Sequence, residues 1–360
     1  MKFDLTSIGC KHRYPLLLSF FISAYGLYLR SLSRMNRDLW NDELYQYHQT
    51  AGPFQSFWLH HTYGDFTSFP GEYLLTYPFI KIFGLNKWGL AIPHIVATII
   101  GFYFLFKLCQ RYFHTIVGYL VAFITVCLNS NLIFHSFEFR PYAVLPTLAL
   151  GSFYFVDILV NNYNDLSQVK KILIGLFFII TVSFHAFGIL MVVLPVIYAV
   201  ILNQLDKTKR IPLKYFAMLF AIVLPIWCWY ASSNSFGIVE NKYIQRNPFQ
   251  YIPDPLSNML GFIKGIVGNL VGTRKLYVFL AGIILTFVFP HKYRSVQLIF
   301  LFLLIILPIS LILITDIRTH YWFLQRQFVW VMPLFAFFLG WCWDSLVITA
   351  QNRFPKFIHQ

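Results

Sequence analysis

A chain of 360 residues with 58% hydrophobic and only 12% charged residues lies far from the roughly 25% charged content of soluble domains. Its mean hydropathy of +0.62 excludes a soluble fold and makes the lipid bilayer its solvent. The net charge of +14 does not indicate nucleic acid, because the Lys and Arg fall in short clusters between apolar runs.

Taken in chain order, apolar runs cover 15–33, 88–108, 115–133, 142–160, 172–186, 187–203, 215–231, 275–290, 295–314 and 327–347. Segments of this kind suit a hydrocarbon core of about 30 Å crossed at about 1.5 Å per residue. The reading is all-α: a polytopic transmembrane bundle of about ten spans with both termini cytoplasmic, forming one domain over 1–348 with a short cytoplasmic tail at 349–360. The N-terminus (Lys2, Lys11, Arg13, then apolar residues) resembles a signal peptide without a clear cleavage site, so a retained signal anchor is expected. Orientation follows from alternate connections. Those carrying Lys107/Arg111, Lys170/Lys171, Lys207/Lys209/Arg210/Lys214, Lys292/Arg294 and Arg353/Lys356 join the N-terminus on the basic, inner face. Nine of the 14 acidic residues then lie on the opposite face. The five cysteines fall in cytoplasmic or membrane segments and show neither a disulfide framework nor metal spacing.

The polar chemistry gathers in the outward loops. The first, 34–87, contains Asp42-Glu43 just past the first span, then Asp65 and Glu72 flanking the turn Ser68-Phe69-Pro70-Gly71. Its apolar piece Tyr73–Gly84, interrupted by Pro78, is too short to span and predicts an interfacial or re-entrant helix. Asn41 is placed to cap a helix whose first turn carries Asp42 and Glu43, favoured there by the helix dipole. A carboxylate so held at the lipid–water boundary is also partly desolvated, which suits a general base. The second outward turn carries Glu138, Arg140 and Tyr142. They form either a snorkelling ion pair at a helix end or an acidic contribution facing Asp42, with Arg140 orienting it or meeting an anionic substrate. The large loop 232–274 holds Lys242, Arg246, Lys264 and Arg274 with several Pro and Gly residues. A last short loop places Arg318 and Arg326 outward, against the basic-inside trend. Lipid headgroups or Asp316 would satisfy them, and a guanidinium fork also suits a phosphate. Span centres are nearly free of charge, which disfavours ion-coupled transport. The outward histidines (among them His48, His94, His135 and His185) make a divalent metal a candidate, but their spacing matches no metal pattern and no ligand set is assigned.

Four motifs in order resemble the GT-C superfamily of polyprenyl-phosphate-sugar-dependent glycosyltransferases, in the bacterial branch related to protein O-mannosyltransferases and the lipid A aminoarabinose transferase. They are Trp40-Asn41-Asp42-Glu43; Phe69-Pro70-Gly71-Glu72-Tyr73-Leu74-Leu75 with Ile82-Phe83-Gly84; Ser136-Phe137-Glu138-Phe139-Arg140-Pro141-Tyr142-Ala143; and Leu324-Gln325-Arg326-Gln327-Phe328 before Met332-Pro333. Departures are Phe69-Pro70-Gly71 in place of His-Pro-Pro, Arg326-Gln327 in place of Arg-Tyr, and an end soon after the last span.

The resemblance implies a bacterial inner-membrane enzyme of cell-envelope biogenesis with its site on the extracytoplasmic face. It implies a polyprenyl-phosphate-linked sugar as donor, a cell-envelope glycan, lipid or protein hydroxyl as acceptor, and inversion at the anomeric carbon. Asp42, supported by Glu43 and Glu138, would be catalytic. Arg326, Arg318, Arg140, Tyr142, Asp65 and Glu72 would bind substrate, with no resident cofactor assigned. Two other readings stay open at this level: a polysaccharide polymerase or ligase, favoured by the basic loop 232–274, and a non-enzymatic lipid-linked sugar flippase or transporter.

Overall fold

The computed structural model describes residues 13–56, 58, 69–205, 211–233, 268, 270, 277–289, 291–319 and 325–353. Each apolar run expected to span forms helix, so the chain is an all-α membrane protein. In order these are α1 (Arg13–Met35), α4 (Lys87–Tyr112), α5 (Ile116–Leu128) with α6 (Ser130–His135), α7 (Leu145–Asn162), α8 (Gln168–Phe184) and α9 (Gly188–Leu205). They continue with α10 (Leu213–Ser233), α11 (Tyr277–Val288), α12 (Arg294–Leu301) with α13 (Leu307–Thr319), and α14 (Val331–Arg353). Between the first two spans lie α2 (Asn41–Thr50) and α3 (Pro70–Phe83). Among the described residues, five segments are long and apolar enough to cross a membrane: Tyr14–Met35, Lys87–Tyr112, Gly188–Leu205, Arg294–Ile314 and Val331–Arg353. Ile116–Leu128 and Leu213–Trp229 are shorter apolar helices.

Local chemistry explains where these helices depart from the sequence expectation. The run 115–133 is not one helix, because Asn129 adopts an extended conformation (φ −65°, ψ 117°) and its side chain caps α6 by accepting from Leu132 N–H at 2.9 Å. The Pro78 interruption proves harmless: α3 runs unbroken from Pro70, well suited to a first turn, to Phe83, where Gly84 stops it with φ +57°. Between α12 and α13 the helix widens to a π-turn over Phe302–Ile306, one turn before Pro308. A proline ring collides with the carbonyl four residues earlier, and a wider turn relieves that clash. α14 runs through Arg353, so the expected tail at 349 is helical for its first residues.

α14 is the centre of the bundle, apolar all round its first four turns, as a helix surrounded by others must be. It packs on α5, α7 and α11. Small residues let it approach α5: a Cβ on Gly340 would lie 2.6 Å from the Gly118 carbonyl oxygen. Around this crossing Phe337 stacks on Phe113 at 5.1 Å and meets Tyr112 edge-on at 5.4 Å. At the far end of the bundle Asp344 of α14 caps α5, accepting from the backbone N–H groups of His114 and Thr115 at 3.1 and 2.6 Å.

Arginines on α1 hold the end of the bundle where the α1–α2 and α6–α7 connections meet. Arg30, buried, donates to the Val126 carbonyl at 3.0 Å and to Ser136 Oγ at 2.8 Å. It thereby satisfies a carbonyl released where α5 ends, in a setting with no water to do so. One turn on, Arg34 grips Glu43 with Nη1 2.9 Å from Oε1 and 3.1 Å from Oε2, both side chains fully buried. Glu43 Oε1 also accepts from Phe139 N–H at 2.7 Å and Oε2 from Trp40 N–H at 3.3 Å. One carboxylate therefore ties α1, the start of α2 and the turn before α7 together.

Removing one partner of such a pair leaves a buried charge uncompensated, a loss of about 3–5 kcal/mol. Arg34→Met is therefore expected to lower the thermal unfolding temperature in detergent sharply. Arg34→Met/Glu43→Gln, which keeps an acceptor for Phe139 N–H, should recover much of it. A double variant no more stable than Arg34→Met alone would show that the pair is not coupled as described.

Candidate functional site

The helix carrying Asp42 and Glu43 begins one residue earlier than the sequence suggests. Trp40, not Asn41, is the N-cap, and since an indole has no acceptor, the cap is closed by Glu43 reaching back to Trp40 N–H. Successive helical positions point about 100° apart, so Glu43 turns into the protein and Asp42 toward its rim. Glu43 is fully buried. The Asp42 side chain keeps 33% of its surface exposed.

Two guanidiniums converge on Asp42. Arg326, on a single 3-10 turn (Gln325–Phe328) just before α14, donates Nη2 to Asp42 Oδ2 at 2.8 Å. Arg140, at the start of the turn into α7, approaches the same oxygen at 3.9 Å. The Arg326 guanidinium also lies 4.8 Å from the ring centre of Trp40 and 5.3 Å from that of Tyr142, which fixes its position on two aromatic faces. The structure thus brings together Asp42, Arg140, Tyr142 and Arg326 from three separate stretches of sequence.

Glu138 sits beside this group, fully buried, with Oε2 2.5 Å from His135 Nδ1 and Oε1 without a partner. Burial alone would push its carboxyl up, but the hydrogen bond and charge of His135, with Arg37 and Arg326, carry it below the usual carboxylate range. Glu138 therefore stays an acceptor. Its peptide neighbour Phe139 is the residue tied to Glu43, so the Arg34–Glu43 pair also sets where Glu138 and Arg140 stand.

The other sequence candidates divide. Glu72 is fully buried in α3, where Oε1 faces His94 Nε2 at 2.8 Å and accepts from Gln46 at 3.3 Å. His94 Nδ1 is engaged with the Leu90 carbonyl at 3.0 Å, so Glu72 serves to lock α2 and α4 onto α3. Asp65 lies outside the described residues, as do the side chain of Arg318 and the basic residues Lys242, Arg246, Lys264 and Arg274 of the large loop. Among the described residues no three of His, Cys, Asp and Glu gather as a divalent ion requires. The Asp42 oxygen nearest the cluster is already shared by two guanidiniums.

Several site residues were not singled out by sequence. Arg30 and Arg34 are spaced by four, which puts them on one face of α1 at the end nearest α2, and Arg37 follows in the link to α2. That spacing was the available signal. From sequence His185 is only one of the outward histidines: it lies between α8 and α9, its ring 5.9 Å from Tyr142, with Nδ1 accepting from Phe187 N–H at 3.2 Å. The proton therefore sits on Nε2 in the neutral ring.

Burial, and then the charge of Arg140, push His185 down to about 4. Its folded value lies below the unfolded value of about 6.5, so the unfolded chain binds the extra proton first. The resulting stability is complete above about pH 6.5 and is lost as pH falls toward about 4. A pH series of melting temperatures should show this limb in wild type and a flatter one in His185→Gln; identical curves would detach the limb from His185.

Residues 70–229, from α3 to α10, match the family model described as dolichyl-phosphate-mannose-protein mannosyltransferase. No curated protein and no solved structure matches the chain. The matched stretch contains Glu138, Arg140, Tyr142 and His185, whereas Asp42 precedes it and Arg326 follows it. Members of that family are membrane glycosyltransferases of the GT-C superfamily that draw on a lipid-linked sugar, and over this stretch the chain is similar to them.

Proposed function

We propose that the protein transfers a sugar from a polyprenyl-phosphate donor to a hydroxyl of an extracytoplasmic cell-envelope acceptor, with inversion, using Asp42 as general base. The observation that carries this reading is the half-open Asp42 carboxylate with the Arg326 and Arg140 guanidiniums converging on it. The family supports the lipid-linked donor; Asp42, inversion and the acceptor are our assignment.

In the chemistry we assign, the acceptor hydroxyl gives its proton to Asp42 while its oxygen forms a bond to the anomeric carbon. The bond from that carbon to the phosphate oxygen breaks on the opposite face, and its electron pair leaves with the lipid phosphate. A phosphate is already a good leaving group, so no second carboxyl need protonate it, unlike the alkoxide lost in glycoside hydrolysis. Charge building on the phosphate is met by guanidinium donors. Arg326 holds Asp42 at 2.8 Å in the substrate-free protein, so an arriving phosphate competes for it. As Arg326 turns to the phosphate, the Asp42 oxygen is released to take the proton. Donor binding and base activation are thereby linked in this scheme, and Trp40 and Tyr142 flank the guanidinium in its Asp42-bound position.

The acceptor would enter from the exposed side of Asp42, where the described residues leave it open. The same chemistry would serve an enzyme that extends a chain, so the product distinguishes a polymerase from a single transfer.

Purified protein given polyprenyl-phosphate mannose and cell-envelope acceptors should form a glycosylated product. Asp42→Asn should reduce kcat by roughly 10²–10⁴-fold, the usual worth of a general base, while donor affinity is retained. Arg326→Ala should instead weaken donor binding as well as turnover. Full activity in Asp42→Asn would end the base assignment, and an unchanged donor dependence in Arg326→Ala would remove it from the phosphate.

A further inference from the structure

A second set of unpartnered polar atoms lies near the Asp42 cluster, on Arg37 and Glu138. Arg37 lies in the short link between α1 and α2, its guanidinium carbon 4.2 Å above the ring of Phe134. Its backbone is held from behind by Lys87, whose Nζ donates to the carbonyls of Met35 at 3.2 Å and Arg37 at 3.4 Å. Yet Nε and Nη1 of Arg37 are shielded from solvent and have no hydrogen-bond partner. Glu138 Oε1 is in the same condition, although Oε2 is engaged by His135.

Unsatisfied buried groups of this kind are rare, because each costs roughly 1–3 kcal/mol and more when charged. Here two such groups of opposite charge are linked through neighbouring rings: Arg37 lies over Phe134, whose ring meets that of His135 at 4.9 Å, and His135 holds Glu138. Among the described residues they form no hydrogen bond or ion pair with each other. A guanidinium can only donate and an ionised carboxylate can only accept. The group that satisfies both at once must do both, and a hydroxyl does: it accepts from Arg37 and donates to Glu138 Oε1.

We propose that Arg37 and Glu138 form a sugar-hydroxyl subsite, next to the place where Arg326 and Arg140 await the phosphate. The inference rests on the glycosyltransferase reading above and deepens it, since it names the residues that read the sugar ring rather than its leaving group. Arg326 and Arg37 both act on the Glu138 carboxylate electrostatically. A ring bonded to a phosphate at Arg326 would present its hydroxyls toward Arg37. The same subsite could be filled by the acceptor's sugar, and binding separates the two sources.

The test uses the full chain in lipid nanodiscs, with tryptophan fluorescence reporting the binding of polyprenyl phosphate and of polyprenyl-phosphate mannose. Wild type should bind the mannose-linked lipid more tightly than the bare phosphate. Arg37→Gln should erase that difference, a loss of roughly tenfold for about 1.4 kcal/mol of hydrogen bonding, while affinity for the bare phosphate stays. Arg37→Lys, which keeps the charge but not the fork, should lose most of the same preference, separating hydroxyl recognition from a general charge effect. If the acceptor's sugar is the occupant, donor binding is unchanged in Arg37→Gln and the KM for a mannoside acceptor rises instead. If both quantities match wild type in a variant with an unaltered melting temperature, these atoms hold only water and the proposal is overturned. Wild type that binds neither lipid would overturn the donor reading itself, and the subsite with it.

Discussion

The site depends on one buried contact, the grip of Arg34 on Glu43. Taking two charges out of water costs several kcal/mol per ion before their attraction is counted, so this pair is a poor source of net stability. What it supplies is position. Glu43 receives Arg34 from α1, Trp40 N–H from the start of α2 and Phe139 N–H from the turn before α7. With those bonds made, α2 has one orientation against α1, and the residues on either side of Phe139 have one place to stand. Those neighbours are Glu138 and Arg140.

Two adjacent carboxylates therefore serve opposite ends. Glu43 is sealed and saturated with donors, which suits a fixed structural anion. Asp42, one helical step away, is held by Arg326 and Arg140 yet remains open to the outside. Around them, among the described residues, Arg34, Arg37, Arg140 and Arg326 outnumber Asp42, Glu43 and Glu138, and His135 adds to the positive side when protonated. An anionic ligand would complete that balance. The aromatic rings of Trp40, Phe134 and Tyr142 hold the guanidiniums without neutralising them, so the excess charge persists without unstructured side chains.

The helices were legible from sequence because bilayer thickness and hydropathy act on each segment alone. Length and apolarity sufficed to find every run that became a helix, and α3 could be recognised as too short to span. Breaks inside helices were not legible, since Asn129 and Pro308 act through the local backbone that a hydropathy average conceals. The site was legible in part. Asp42, Glu138, Arg140 and Arg326 stood out because charge is scarce at the ends of these helices. Glu72 stood out for the same reason, and in the fold its Oε1 meets His94 and Gln46. Arg37 passed unremarked and His185 stood out only among the outward histidines, because the residues beside a side chain do not say which distant groups it will meet.

By itself the sequence determined that the chain lives in a membrane, how many apolar segments it has, and that its scarce carboxylates cluster at a few helix ends. Hydrophobicity, helix length and local capping are properties of neighbouring residues, so they can be read along the chain. Only the tertiary structure decided which of those charges meet. Arg326 reaches Asp42 across 284 positions of sequence, and Phe139 reaches Glu43 across 96. A hydrogen bond is made or lost within a few tenths of an ångström, and that precision comes from how α1, α7 and α14 pack rather than from any single segment.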